Sequence, residues 1–295
     1  MKPAFSTVAC PEWPLDKVAD VAEAVGALGV ELRTFGAGST EFACDPVLTS
    51  TDKVRQLFDK AGIVPCSLAT SISFDEPIDP PVLGRVFDHE LSVREAKGAI
   101  DLARELEVPF VRVFPFELHG GESRAGGIAR IVDRLAKAAD HCRNTGVRLL
   151  VENGGSFPTA VALADLLDKV GSPLVFGALS PSVALAAGES PASGINVLSD
   201  RLGSVKLKDF AGRRPCALGE GSEPVGETID ALSKIGYEGW IVYEFDRAWL
   251  GSPAEGTKEQ VLPEPADVLR RSMKYLYDRI PHRAAGRRTN GATLV

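Results

Sequence analysis

Short apolar segments alternate with amphipathic segments along the whole chain. Eight apolar segments have the length and composition of buried strands. They are AFSTVA from Ala4, GVELRTF from Gly29, IVPCSLAT from Ile63, VPFVRVFPF from Val108, VRLLVEN from Val147, PLVFGAL from Pro173, LGSVKLKDF from Leu202 and GWIVYEF from Gly239. The segments between them repeat apolar residues at helical spacing, as in the helix predicted after Pro14 with Leu15, Val18 and Ala22 on one face.

The predicted helices follow the strands in regular order. After the helix that begins at Pro14, they are expected at 51–60, 88–106, 128–142, 160–170, 194–200, 228–235 and 266–280. Strands that alternate with helices indicate a parallel sheet. No G-x-G-x-x-G motif follows the first strand, so a closed (β/α)8 barrel fits better than an open dinucleotide-binding sheet. We therefore predict an α/β fold with one TIM-barrel domain at 1–281, and a tail at 282–295 that is flexible or docks on a neighbouring subunit.

Charged residues lie inside or at the ends of several predicted strands. Because strand side chains alternate between two faces, Glu31 and Arg33 share one face, and Lys206 and Lys208 share another. The remaining members of this set are Arg112, Glu152 and Glu244. The carboxyl ends of barrel strands form the site in this fold, and buried charges require partners. We expect these side chains to meet and neutralise one another at the barrel mouth, with Glu31 and Lys208 also available to a substrate.

Composition narrows the functional classes. The formal net charge of −7 argues against nucleic acid as the main partner. With only four histidines, a multi-zinc hydrolase is disfavoured. Five cysteines without a C-x-x-C pair suggest reduced thiols and a cytoplasmic protein. No apolar stretch has the length of a signal peptide core or a membrane span, so we expect no membrane partner. Analogy at the level of the fold suggests a homodimer.

Several motifs in order along the chain resemble one family. They are STVACPEW, GVELR, VRVFP, LLVENGG, GALSPSVALAAGESP, KLKD, LGEG and GYEGWIVYE. Together they resemble the xylose isomerase-like TIM-barrel superfamily, in the branch of sugar phosphate isomerases and epimerases. The resemblance runs from Phe5 to the last predicted helix. It implies a carbohydrate-like ligand, with or without a phosphate group, and the superfamily holds several reaction types.

The resemblance also implies one divalent metal (Mn, Mg, Co or Zn) with ligands on predicted strands five to eight. Glu152 and Glu244 match the first and last of these ligands. Ser180 stands in place of the aspartate ligand, and Lys206 in place of the histidine ligand. Val183 stands in place of a histidine that contacts substrate, whereas the Lys208-Asp209 pair matches the family pattern.

These departures argue against an ordinary four-ligand metal site, because an ammonium group repels a divalent cation. We expect no cofactor, with Lys206 taking the metal's place and bridging Glu152 and Glu244. The alternative is that a metal is bound and that Glu152 and Glu244 are its remaining ligands.

Three functions stay open for Glu152, Glu244 and Lys206. The first is an isomerase or epimerase that moves a proton beside a carbonyl. It requires a carboxyl pKa raised towards neutrality, with Lys206 stabilising an enediolate. The second is a lyase or aldolase in which Lys206, with a lowered pKa, forms a Schiff base. The third is a non-catalytic binding relative whose Glu–Lys–Glu salt bridge is inert.

The other candidates are spread around the predicted mouth. Arg33 and Arg112 are candidates for binding phosphate or a sugar hydroxyl, or they pair with Glu31 or Glu117. His119, beside two glycines, is a proton carrier or a solvated loop residue. Two aromatic residues after the first and last strands are candidates for stacking on a sugar, namely Trp13 and Trp249.

Overall fold

A computed structural model describes residues 1–34, 50–76, 90–247 and 263–281. Eight parallel strands alternate with helices and close into a barrel, so the predicted (β/α)8 fold is confirmed. The barrel strands are β1 (Lys2–Ser6), β2 (Gly29–Arg33), β3 (Val64–Ser73), β4 (Phe110–Phe114), β5 (Arg148–Glu152), β6 (Val175–Leu179), β7 (Leu202–Leu207) and β10 (Trp240–Tyr243). Their order around the barrel is β1-β10-β7-β6-β5-β4-β3-β2.

Helices pack around the outside of this barrel. They are α1 (Leu15–Ala24), α2 (Thr51–Ala61), α3 (Leu91–Glu105), α4 (Arg124–His141), α5 (Ala160–Val170), α6 (Pro181–Ala186), α7 (Pro191–Leu198), α8 (Val225–Lys234) and α9 (Pro265–Arg279). A two-stranded antiparallel hairpin, β8 (Phe210–Ala211) with β9 (Arg214–Pro215), follows β7. No helix among the described residues is long and apolar enough to cross a membrane.

The structure corrects several predicted boundaries. Helix α4 begins at Arg124 rather than at residue 128, because Ser123 caps it by accepting a hydrogen bond from the Gly126 amide at 3.1 Å. The glycines at the start of this helix conceal its first turn in the sequence. Helix α6 and the β8–β9 hairpin are absent from the prediction. The predicted start of α3 at residue 88 and the tail at 282–295 lie outside the described residues.

The barrel interior has an apolar end and a charged end. At the amino-terminal end, Ala4, Cys66, Trp240 and Val242 form a small buried cluster. Trp240, Val242 and Glu244 are every second residue along β10 and past its end, so their side chains lie on the same face of the sheet. Val242 pairs with Lys206 of β7. Side chains at paired positions of neighbouring strands point the same way. Lys206 and Glu244 therefore lie on the inner face, above the apolar cluster and towards the mouth.

Candidate functional site

The ammonium group of Lys206 occupies the centre of the barrel and is surrounded by three carboxylates. Its Nζ lies 3.0 Å from Glu31 Oε1 and 3.3 Å from Glu152 Oε2, and it contacts Glu244 Oε2 more closely still. The Lys206 side chain is 1% exposed. The three acids come from β2, β5 and the end of β10, so barrel closure brings together residues far apart in sequence. The bridge expected between Glu152 and Glu244 is present, with Glu31 as a third partner.

Arg112 of β4 supports this cluster from one side. Its Nε lies 3.2 Å from Glu152 Oε2, and its NH1 group donates to the Thr70 carbonyl at 2.7 Å. The guanidinium also lies 4.2 Å from the centroid of the Phe114 ring. One of the two alternatives for Arg112 was a structural pair with Glu31 or Glu117, and the carboxylate that it contacts is Glu152 instead. Strand β5 neighbours β4, so the acid at the end of β5 is the one within reach.

Arg33 and Glu31 of β2 are likewise held by neighbouring strands. Arg33 donates from NH1 to the Ala69 carbonyl at 3.0 Å and from NH2 to Ser71 Oγ at 2.6 Å. Burial and the nearby charge of Arg112 lower the pKa of Arg33 to about 10. The Ser67 hydroxyl donates to Glu31 Oε2 at 2.9 Å. Arg33 is 4% exposed and Glu31 is 1% exposed, so both lie below the surface of the mouth.

A second lysine lies nearer the mouth. Lys208 Nζ lies 2.8 Å from Glu244 Oε1 and donates to Asp246 Oδ1 and Oδ2 at 2.9 and 3.0 Å. The sequence reasoning missed Asp246. The signal was present, because Asp246 follows Glu244 by two residues and period two predicts the same face. Burial and the adjacent Glu244 carboxylate raise the pKa of Asp246, although Lys208 acts in the opposite direction.

The charges decide which of the predicted chemistries the site can support. Burial favours the neutral form of Glu244, but the Lys206 and Lys208 ammonium groups outweigh it and hold the pKa of Glu244 well below its ordinary value. Burial and Arg112 act to lower the pKa of Lys206, yet the three carboxylates leave it raised. These directions are opposite to those that the acid–base and Schiff-base alternatives require of Glu244 and Lys206, and they agree with the alternative of an ionised Glu–Lys–Glu bridge. Glu244 is not tuned towards neutrality as a general acid, and Lys206 lacks the lowered pKa that Schiff-base chemistry requires.

The cluster is balanced in charge. Its four cations are matched by four carboxylates within this part of the barrel. The cations are Arg33, Arg112, Lys206 and Lys208, and the carboxylates are Glu31, Glu152, Glu244 and Asp246. Buried charges are tolerated when they are paired. This pairing explains how a barrel can hold so many ionised groups at low exposure.

Asp209 organises the loop after β7. Its carboxylate accepts hydrogen bonds from the backbone amides of Phe210, Gly219, Gly221 and Glu223, at 2.8–3.1 Å. A methyl group at Gly221 would collide with the Asp209 carboxylate, so only glycine fits there. The Asp209 that matches the family motif is therefore a structural anchor, and it fixes the chain that carries Lys208 and Phe210.

A cavity of about 510 Å³ lies at the carboxyl ends of β5, β6 and β7. Lys208 is the one charged side chain among the described residues that line it, and the wall is mostly apolar. Other lining residues include Pro158, Ser180, Val183, Ala187 and Phe210. The Ser180 hydroxyl is buried and has no hydrogen-bond partner among the described residues. This cavity is large enough for a small organic ligand.

Two of the remaining candidates, His119 and Trp13, contact residues outside the charge cluster. His119 is in the loop after β4, its side chain is 40% exposed, and its Nε2 lies 3.7 Å from Asp75 Oδ2. Trp13 is only 5% exposed within the main hydrophobic core, and Lys17 Nζ lies 4.3 Å from the centroid of its ring. Stacking of Trp13 on a sugar remains a prediction. Trp249 lies outside the described residues.

The residues at the centre do not fit the divalent metal that the family resemblance implies. Oxygens of Glu31, Glu152 and Glu244 already face the Lys206 ammonium. Ser180 offers a neutral hydroxyl in place of a carboxylate, and a cation at this position would be repelled by Lys206. Within the described ranges, no group of three His, Cys, Asp or Glu side chains is arranged to hold a metal ion.

A closed parallel barrel of this kind defines a (β/α)8-barrel protein, and its charged groups lie at the carboxyl-terminal end, where functional sites form in this fold. The family model described as xylose isomerase-like TIM barrel matches residues 18–278, and the chain belongs to this family. A search of characterised proteins by sequence finds no match.

Solved structures with the same fold include two sugar epimerases. D-allulose 3-epimerase from Methylomonas sp. is 17% identical with a TM-score of 0.73, and the match covers 95% of this chain and 98% of that one. L-ribulose 3-epimerase is 15% identical with a TM-score of 0.75, covering 95% and 94%. The IOLI protein, solved with a bound zinc atom, is 18% identical with a TM-score of 0.74, covering 95% and 98%. At these identities the likeness demonstrates the fold alone.

Proposed function

We propose that this protein is a metal-independent enzyme of the sugar isomerase or epimerase type. It moves a proton at the carbon next to the carbonyl of a carbohydrate- or polyol-derived compound. The observation that carries the proposal is the Lys206 ammonium group, which contacts both mouth carboxylates, Glu152 and Glu244. Epimerases among the structures with this fold support the substrate class.

The roles follow from the contacts. Glu152 is ion-paired through Oε2 to Lys206 and Arg112, and it is the candidate base. Lys206 supplies a fixed positive charge behind Glu152, where it favours the negative charge that develops on an enediolate oxygen. Glu244 completes the ion pairs that hold Lys206 in place. The ligand occupies the cavity beside Lys208, with its apolar side against Val183 and Phe210.

The test is proton exchange in D2O, followed by NMR. The panel contains D-fructose, D-xylulose and L-ribulose, each with its phosphate ester. We expect deuterium to enter beside the carbonyl of at least one compound, and Glu152→Gln to abolish that exchange. The matched control is Glu117→Gln, which removes an exposed carboxylate near the mouth. No exchange across the panel would overturn an enzymatic function on these sugars.

Metal dependence is tested separately from activity. We expect protein purified without chelator to contain no stoichiometric Mn, Mg, Co or Zn by elemental analysis, and its Tm to be unchanged by EDTA. One equivalent of any of these metals, with a Tm that falls in EDTA, would show that Glu152 and Glu244 are ligands and that Lys206 does not replace the metal.

A non-catalytic binding role is the second candidate, and one observation favours it. The Lys206 side chain is 1% exposed among three carboxylates, which leaves little of the ammonium to contact a ligand. Isothermal titration calorimetry against the same panel separates the two functions. Binding of a sugar without any exchange would favour the non-catalytic role.

Two further expectations belong to this proposal. Among the described cysteines, Cys66, Cys142 and Cys216 form no disulfide, which supports a reducing compartment such as the cytoplasm. We propose a homodimer on the basis of the fold class, and sedimentation of the purified chain tests this.

A further inference from the structure

A second cavity lies at the amino-terminal end of the barrel, opposite the mouth. Its volume is about 500 Å³, close to that of the cavity at the mouth. The first residues of β1, β4, β5, β7 and β10 line it, together with the segment that precedes β10. Trp240 lines this cavity and also belongs to the small buried cluster at the amino-terminal end of the interior. The Trp240 ring therefore lies between the cavity and the barrel interior, so the cavity is separate from the charge cluster around Lys206.

Two cations reach the amino-terminal opening from opposite sides of the barrel. Arg148 comes two residues before Leu150 on β5, and Leu150 pairs with the inward-facing Arg112 of β4, so Arg148 is also on the inner face. Lys2 pairs with Trp240 and shares its inner face. In the closed order β1-β10-β7-β6-β5-β4-β3-β2, strands β1 and β5 are four positions apart, the largest separation in a ring of eight. Lys2 and Arg148 therefore lie on opposite sides of the opening.

Aromatic rings lie beside both cations. Lys2 Nζ is 5.1 Å from the centroid of the Trp240 ring, and Arg148 Cζ is 5.4 Å from the centroid of the Phe176 ring. Phe110 packs edge to face on Phe176, with ring centroids 6.5 Å apart. All five side chains line the cavity. The wall between the two cations thus consists of ring faces and edges, which suit contact with a planar apolar group.

The polar groups of the lining indicate what such a planar group carries. Among the described residues, neither Lys2 nor Arg148 forms an ion pair or a side-chain hydrogen bond, so their N–H donors are available to a ligand. Asp200 and Glu238 also line the cavity, and both are exposed. Because these two acids offset the two cations, net charge alone does not favour an anion. An anionic group placed between the cations gains charge-assisted hydrogen bonds, and a ring attached to it gains the aromatic contacts.

We propose that the amino-terminal cavity is a second ligand site, and that it binds a small aromatic anion. The ligand is a planar ring system that carries a carboxylate or a phosphate group. Its anionic group lies between Lys2 and Arg148, and its ring lies against Phe176 and Trp240. A cavity of about 500 Å³ holds a ligand of this size. The site shares no residue with the reaction proposed at the mouth, so either can fail without the other.

Isothermal titration calorimetry of the purified full chain tests the ligand class. The two probes are 2-naphthoate and 2-naphthyl phosphate. Their counterparts are 2-naphthol, which keeps the ring without the charge, and cyclohexanecarboxylate and methyl phosphate, which keep the anionic group without an aromatic ring. We expect at least one probe to bind in a 1:1 complex with a Kd below about 1 mM, and its counterparts to bind at least about tenfold more weakly. No binding of either probe, or a counterpart that binds as tightly, would overturn the proposal.

Variants locate the bound probe. Lys2 and Arg148 are both exposed, so Lys2→Gln and Arg148→Gln should leave the fold intact by circular dichroism. Each should weaken binding of the probe roughly tenfold. Two controls should leave the Kd unchanged: Lys53→Gln, which removes an exposed cation from the first turn of α2, and Phe210→Ala, which removes a ring from the cavity at the mouth. A Kd that is unchanged in Lys2→Gln and Arg148→Gln, or that rises only in Phe210→Ala, would place the probe elsewhere and overturn the proposal.

Discussion

Replacing Lys206 with methionine isolates the energetic role of the central cation. Methionine keeps an unbranched side chain of similar length and removes the charge. In the structure, Lys206 Nζ lies 3.0 Å from Glu31 Oε1 and 3.3 Å from Glu152 Oε2, and it also contacts Glu244. The variant Lys206→Met leaves these buried carboxylates facing one another without the ammonium between them.

The expected loss follows from the burial of the pairs. Removing one partner of a buried ion pair costs about 3–5 kcal/mol, because the remaining charge is left unpaired in a medium of low polarity. At about 2–4 °C of Tm per kcal/mol, this corresponds to a fall of roughly 6–20 °C. The loss should depend on pH. Carboxylates without a cation between them acquire raised pKa values, so protonation at pH 5.5 should recover about 1 kcal/mol or more relative to pH 8.

Urea unfolding followed by circular dichroism measures the free energy at both pH values. The control is Lys234→Met, which removes an exposed lysine from the last turn of α8 and should change stability by a few tenths of a kcal/mol at most. If Lys206→Met stays within about 1 kcal/mol of wild type at pH 8, then water or protons already neutralise the acids, and the electrostatic account of the site is wrong.

Three further predictions test the framework around the site. Asp209→Asn should destabilise the loop that follows β7 by about 1–3 kcal/mol, because its carboxylate accepts four backbone hydrogen bonds. Hydrogen exchange should show faster exchange at 219–223, and unchanged rates there would contradict the anchoring role. Glu189→Ala should lower the free energy of unfolding by about 1–2 kcal/mol, because the Glu189 carboxylate accepts hydrogen bonds from the amides of Ala160 and Val161 at the start of α5. An unchanged Tm would contradict the role of Glu189 as a cap of this helix. The pKa of Glu244 is held below its ordinary value of 4.5, so its contribution to stability is present above about pH 4.5 and is lost as pH falls through the folded-state pKa. Glu244→Gln should therefore flatten acid unfolding monitored by fluorescence, and an unchanged slope would contradict this pKa direction.

The barrel could be predicted because its signals are local. Each apolar run in this chain is short, and each is followed by a helix with one apolar face, so order and number are readable from the sequence. The errors occur where local signals fail. Helix α4 starts with glycines whose low helix propensity is offset by the Ser123 cap, and α6 is too short to show a periodic pattern.

The site, too, could be predicted only where its signals are local in the sequence. Period two placed Lys206 and Lys208 on one face, and family motifs marked Glu152 and Glu244 as the acids at the strand ends. The contacts between charged side chains on different strands were set instead by the order of the strands in the closed sheet. Arg112 contacts Glu152 because β4 lies beside β5.

The sequence by itself determined the fold class, the family and the presence of a lysine where the family motif has a metal ligand. Those properties depend on residue type and on short-range spacing. Tertiary structure decided which of the charged groups contact one another, with Glu31 as a third acid at Lys206, and it added Asp246 to the charge balance. It also set the direction of the pKa shifts of Lys206 and Glu244. The physical reason is that Coulomb interactions and desolvation depend on distances between residues from different strands, and only barrel closure sets those distances.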